Sequence, residues 1–175
     1  MHTVRSRIRR IYGRAAQLVF PPVEMKELGY VADKDDYYVT ASFLAPYKRT
    51  DLIILAFNDM PNRRLLVVGE GQQSQAPPAL AGPNIKFTGY LPRRDYVKTV
   101  GFAKALVFAG CEDFRIALAE AQACGTPLIA FNRGGACDIV RPLGATNEPA
   151  GMLFERQTVA PIRKRWSSLS CTAML

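Results

Sequence analysis

The sequence predicts an α/β fold, a parallel sheet with helices on both faces, and three observations lead there. Short apolar runs of strand length recur along the chain and alternate with stretches of helical period. Those runs are apolar throughout rather than alternately polar, as strands covered on both faces must be. The length of 175 residues, 49% apolar and 22% charged, suits one soluble globular domain with a sizeable core.

The elements follow in order. Thr3–Arg14 places Val4, Ile8 and Ile11 on one stripe with arginines elsewhere, a short helix that packs on some other surface. Leu18-Val19-Phe20, followed by Pro21-Pro22, reads as a strand closed by a rigid turn. Glu24–Asp36 is a polar connector. Tyr37–Phe43 (YYVTASF) is rich in β-branched and aromatic residues and begins the sheet. Asp51–Met60 supplies a helix and Leu65–Val68 a second strand. Gln72–Pro83 is turn-rich and reads as a surface loop. Asn84–Tyr90 is a third strand, and Pro92–Ala103 a helix with proline in its first turn. Lys104–Ala109 is a fourth strand, Pro127–Phe131 a fifth, and a last helix starts near Ala136. From Val159 on the sequence shows no clear helical stripe and reads as a frayed basic tail. The division is thus 1–36 basic helix, crossover strand and linker, 37–158 the folded domain, and 159–175 the tail.

The most informative stretch is 109–125, AGCEDFRIALAEAQACG. The acids Glu112 and Asp113 read as the first turn of a helix and Gly125 as its end. Phe114, Ala117, Leu118, Ala121 and Cys124 form its core stripe, yet the helix also carries Glu120. The residues three and four positions from Glu120 are Ala117, Ile116, Ala123 and Cys124, so no local cation pairs with it. Such an acid reaches solvent, finds a distant partner, or faces a hydrogen-bond-donating ligand. If the segment is helical throughout, Glu112 and Glu120 lie about 12 Å apart along the axis, the span of an extended ligand with a sugar at one end and a ribose at the other. The helix N-terminus between them favours a phosphate. Plain capping by Glu112 and Asp113, with Glu120 at the rim, is the alternative reading.

Ligands of parallel sheets bind beyond the carboxyl ends of the strands, which selects the loops after Phe43, Val68, Gly89, Ala109 and Phe131. The first holds Lys48, either a mobile point charge for a phosphate or a solvated lysine. The second holds Gly69-Glu70-Gly71; a lone GxG is a weak signal, and the GxGxxG of dinucleotide sites is absent. The fifth holds Gly134-Gly135, where backbone either approaches a ligand or simply turns.

The segment Glu112–Pro127 resembles the E-x7-E motif of the family 4 (group 1) retaining glycosyltransferases. The resemblance runs over about residues 4–158. RIRRIYGR at 7–14 and VFPPVE at 19–24 look like the family's crossover between domains, and TASFLAPYKRTDLIILAF at 40–57, LLVVGEG at 65–71 and IAFNRGGACDIV at 129–140 follow in matching order. It implies a Rossmann-like domain, the C-terminal, donor-binding half of the two-domain GT-B fold. No stretch resembles the N-terminal, acceptor-binding domain, which the chain is expected to lack.

The resemblance implies a catalytic pair, Lys48 neutralising the donor diphosphate and Glu112 orienting the sugar. It also implies a donor site made of Gly69, Gly71, Asp113, Phe114, Arg115, Ile116, Glu120, Gly134 and Gly135, with Glu120 accepting from the ribose hydroxyls. No metal and no cofactor is implied. The substrate would be a nucleotide-diphosphate sugar, with GDP-mannose favoured by mannosyltransferase-like spellings, and the acceptor a hydroxyl, such as one on a lipid-linked glycan. Two positions depart from the family. Phe43 stands where an arginine is usual, a loss of about 1.5–3 kcal/mol for a charge-assisted phosphate contact. Arg115 stands where glycine is usual, and either blocks the phosphate or supplies the missing cation. Another class of reading is a non-catalytic remnant that binds a nucleotide or a partner through an open apolar face.

The charge of +8 is concentrated at the ends. Residues 1–14 hold five arginines and no acid, whereas 15–155 hold 14 basic and 15 acidic residues. Without a binding motif or interleaved aromatics, nucleic acid is not the expected partner; a basic fringe also suits the inner face of a membrane. No apolar run is long enough to span one, and no signal core follows the first arginines. Cys111, Cys124, Cys137 and Cys171 lack metal-ligand spacing and read as reduced thiols of a cytoplasmic protein.

Overall fold

A computed structural model of the protein describes residues 1–71, 79–144 and 147–169. Six strands form one sheet: β1 Asp35–Ala41, β2 Leu65–Val68, β3 Ile85–Gly89, β4 Ala103–Phe108, β5 Leu128–Phe131 and β6 Gly151–Phe154. All adjacent pairs are parallel and the order is β3-β2-β1-β4-β5-β6. The helices are α1 His2–Tyr12, α2 Thr50–Asn58, α3 Arg93–Gly101, α4 Ile116–Ala123, α5 Ala136–Ile139 and α6 Val159–Leu169. This is the doubly wound, Rossmann-like α/β architecture the sequence predicts. The chain runs outward in both directions from the centre, so β1 and β4 flank the switch point beyond whose carboxyl ends a ligand crevice forms.

The sheet separates two cores, and its strands alternate between them. In β4, Ala105 and Val107 face Ile53, Phe57, Phe154 and Ile162, while Leu106 and Phe108 face Leu118, Ala121, Leu128 and Val140 on the other side. That two-sided burial is why the strands read as unbroken apolar runs. Polar groups also tie the layers together. Lys34 donates to the carbonyls of Gly101 (2.6 Å) and Cys124 (3.0 Å), placing a cation on the carbonyl-rich C-terminal ends of α3 and α4.

Four sequence expectations are corrected. Leu18–Phe20 belongs to no strand, and Val19 and Phe20 are exposed; the edges of the sheet are β3 and β6, and the segment pairs with neither. A sixth strand, Gly151–Phe154, lies where none was expected; it is short, and what defines it is its pairing with β5. Val159–Leu169 is a helix rather than a frayed tail: Ile162 is wholly buried in the core it shares with α2. Finally, α4 begins at Ile116 after an extended Arg115, with no acid in its first turn, so the 12 Å helical spacing does not apply. The expected loop at Gln72–Pro83 falls mostly outside the described residues, as does the end of the tail at 170–175.

Candidate functional site

The segment between β4 and α4 is an acid loop rather than a helix because its polar groups are satisfied elsewhere. The Gly135 N–H donates to the Glu112 carbonyl at 2.6 Å. The Glu112 carboxylate is paired with Lys48 and accepts from Arg115 Nη1 at 3.1 Å. The glycines after β5 make this possible. A Cβ on Gly134 would stand 2.2 Å from the Glu112 carbonyl oxygen, and one on Gly135 would stand 2.5 Å from that of Asp113. Gly134 and Gly135 therefore seat the acid loop instead of lining a cavity.

Lys48 lies at the end of a 3₁₀ turn, Pro46–Lys48, that follows β1, and is only 7% exposed. Burial, with the Arg115 charge behind it, pulls its ammonium down to about 8; the Glu112 carboxylate acts in the opposite sense. Arg115 crosses the site. Its Nη2 donates to the Ala41 carbonyl at the end of β1, and its guanidinium lies 5.1 Å over the Phe108 ring at the end of β4. Burial lowers its pKa, yet an arginine stays charged. Lys48, Arg115 and Glu112 together leave one positive charge at the switch point. No side chain caps the first turn of α4 beside them.

Two cavities meet here. One of about 700 Å³ is lined by Tyr47, Glu112, Asp113, Phe114, Arg115 and Ile116, and by Arg7 of α1, which pairs with Asp113. The other, about 340 Å³, lies beyond β1, β2 and β3 and is lined by Ser42, Val68, Gly69, Tyr90, Leu91, Arg93 and Tyr96. Arg115 and Ala117 line both, so the two cavities adjoin and share a wall.

Glu120 is 8% exposed, on α4 one turn beyond Ala117. It has a distant partner, and in fact two: Arg93 Nη1 donates to Oε1 at 2.6 Å and the Tyr96 hydroxyl to Oε2 at 2.9 Å. Burial and the Glu120 charge push the Tyr96 phenol well up, so it remains a donor. A carboxylate accepts about four hydrogen bonds, which leaves Glu120 two to offer.

The structure thus gathers Glu112, Asp113, Phe114, Arg115 and Ile116 at one cavity, with Lys48 paired to Glu112 behind it, and Gly69 at the other. Gly71 lies away from both; it is needed because a Cβ there would stand 2.5 Å from the Leu44 carbonyl oxygen. Phe43 is 58% exposed and makes no cationic contribution. Sequence reasoning missed Arg93 and Tyr96. The available signal was two arginines, Arg93 and Arg94, opening a helix whose positive end disfavours them. Among the described residues no cluster of three metal-ligating side chains exists, and no helix is long and apolar enough to cross a membrane.

Comparison with known proteins gives the same picture. Over 134 residues the chain is 34% identical to a GDP-mannose-dependent monoacylated alpha-(1-6)-phosphatidylinositol monomannoside mannosyltransferase of Corynebacterium glutamicum. That match covers 67% of this chain and 34% of the relative, so the chain spans about a third of the relative's length. Among solved structures, sucrose-phosphate synthase from Thermosynechococcus elongatus superposes with a TM-score of 0.76 at 22% identity, covering 95% of this chain and 46% of that one. The pneumococcal O-GlcNAc transferase GtfA, solved with UDP and GlcNAc, superposes with a TM-score of 0.67 at 18% identity, covering 97% and 35%. At such identities these two show the fold alone, a GT-B glycosyltransferase domain. Residues 25–168 match the family described as Glycosyl transferases group 1, and the chain belongs to that family.

Proposed function

We propose that the chain is the donor-binding half of a retaining, family 4 glycosyltransferase that takes a sugar, mannose first among candidates, from a nucleotide-diphosphate sugar to an acceptor hydroxyl. The single observation that carries this is the pair of adjoining cavities at the β1/β4 switch point, one bearing net positive charge and the other lined by Arg93 and Tyr96, the two partners of Glu120. A diphosphate suits the charged end, where Lys48, Arg115 and the uncapped first turn of α4 converge. A ribose suits Glu120, whose remaining acceptor capacity matches two vicinal hydroxyls. Glu112, once the diphosphate draws the cations away, is free to orient sugar hydroxyls.

In the transfer, the bond from the anomeric carbon to the diphosphate breaks and one to the acceptor oxygen forms. Charge builds on the departing diphosphate, and fixed cations in a buried site stabilise that charge with little reorganisation. The acceptor site is assigned to a separate N-terminal domain, and a lipid-linked glycan on a membrane's inner face is the acceptor class that suits the basic ends. The relative's GDP-mannose dependence supports a mannosyl donor.

The test is calorimetric titration of the chain with GDP-mannose and UDP-glucose. Micromolar to millimolar binding of one, lost in Lys48→Ala and in Glu120→Ala, is the expected result. No binding by a folded wild-type chain would reject the donor site and leave a non-catalytic remnant as the better reading.

A further inference from the structure

The second cavity contains a side chain with no role in the account so far. Arg93 opens α3 and is held from two sides: its Nη1 donates to Glu120 at 2.6 Å and its Nε to Glu27 of the connector at 3.2 Å. The Tyr96 ring lies 5.6 Å below the guanidinium. Two carboxylates and a ring fix the plane of the group, while Nη2 has no partner among the described residues. The Arg93 side chain is 37% exposed and lines the 340 Å³ cavity together with Tyr90 and Leu91. An oriented guanidinium with an open amino end, in a mostly apolar cavity of ligand size, is a reader of acceptor atoms.

We infer that Arg93 is a specificity-determining residue that selects a guanine nucleotide over a uracil nucleotide. The inference rests on the donor site proposed above: with the diphosphate at Lys48 and Arg115 and the ribose at Glu120, the base falls in the cavity that Arg93 and Tyr96, the partners of Glu120, line. Guanine presents two adjacent acceptors, O6 and N7, and the end of the guanidinium, Nη2 together with the second N–H of Nη1, matches that pair. Uracil's two carbonyls flank its N3–H, so it sets no two acceptors side by side for an arginine to engage. Adenine sets an amino donor beside N7 and so opposes the fork. Glu27 and Glu120 act as positioning residues, since an arginine already oriented loses less freedom on binding than a mobile one. The same Glu120 touches the ribose, so base and ribose recognition are joined through one ion pair.

The experiment titrates GDP and UDP against the wild-type chain, Arg93→Ala, Arg93→Lys, and Arg94→Ala as a neighbouring control, with circular dichroism and melting of each. The wild type and Arg94→Ala should bind GDP about tenfold tighter than UDP or better, the lower range for one bidentate base contact. In Arg93→Ala the ratio should fall to near one, through loss of GDP affinity, with UDP changing by less than about threefold. If Arg93→Ala fails to fold, Arg93→Lys, which keeps the charge but not the fork, should show the same loss of preference. Equal weakening of both nucleotides in the folded variants would overturn the inference, for Arg93 would then act only through Glu120. So would a wild-type preference for UDP, or an unchanged ratio. Failure of either nucleotide to bind the wild type would reject the donor site itself, a distinguishable outcome.

Discussion

Gly135→Ala tests whether the acid loop is positioned by the loop behind it. Gly135 has φ −70° and ψ −18°, a conformation alanine adopts freely, so the substitution carries no backbone strain of its own. Its cost is steric. The new Cβ would lie 2.5 Å from the Asp113 carbonyl oxygen and 2.8 Å from Phe114 Cα, against the 3.4 Å at which ordinary contact begins. Both obstacles are backbone, so no side chain can swing aside. The loop must yield by roughly 1 Å, carrying Glu112 with it, or the strain must stay in the fold. Overpacking of this kind costs about 1–3 kcal/mol, which in a domain of this size lowers Tm by about 2–12 °C. Misplacement by 1 Å costs about 100-fold where chemistry is at stake, and nucleotide-sugar affinity should fall by about tenfold. Calorimetry and a thermal melt read both quantities. Gly29→Ala, where nothing lies within 4 Å of the added carbon, is the control and should bind like wild type. A Gly135→Ala variant that melts and binds as the wild type does would refute the claim that this contact holds the loop.

Three other outcomes follow from the same geometry. Lys48 is charged below its pKa of about 8 and neutral above it, so nucleotide-diphosphate affinity should be constant from pH 6 to 7 and fall through pH 8–9; a binding profile flat to pH 9 would show that Lys48 does not meet the phosphate. Arg115→Ala should weaken GDP binding by about 10- to 100-fold, the value of one charge-assisted contact, and unchanged affinity in titration would mean that Arg115 does not replace the cation missing at Phe43. Ile162→Ala should destabilise by about 2–5 kcal/mol, seen as a denaturation midpoint well below wild type, and a wild-type midpoint would mean that α6 is not part of the core.

The sheet was legible because a parallel strand buried on both faces is mostly apolar: β2 (LLVV) and β5 (LIAF) are so throughout, and β4 is once past Lys104. The end of α4 was legible too. Gly125 adopts φ 72°, and the N–H groups of Gly125 and Thr126 return to the carbonyls of Gln122 and Ala121, the bonding that calls for glycine just past a helix end. The start of α4 was not. Glu112 and Asp113 have the residue types of a first turn, but the Glu112 side chain is claimed by Lys48 and Arg115, and its carbonyl by Gly135. Those partners are remote in sequence, so no local rule registers them. Glu120 shows the same limit from the other side. The lack of a cation one turn away left solvent, a distant partner or a ligand as alternatives, and only the docking of α3 against α4 identifies Arg93 and Tyr96. The glycines of the two loops were legible as necessary, and the close approach they permit is to other backbone, that of Ser42, Leu44, Glu112 and Asp113.

The most direct test of the donor site is a crystal structure of the chain with GDP bound. The account predicts the diphosphate against Lys48 and the first turn of α4, the ribose hydroxyls on Glu120, and the base in the cavity beside Arg93. A nucleotide seated elsewhere on the chain, or lying in the crevice with its ribose turned away from Glu120, would contradict it.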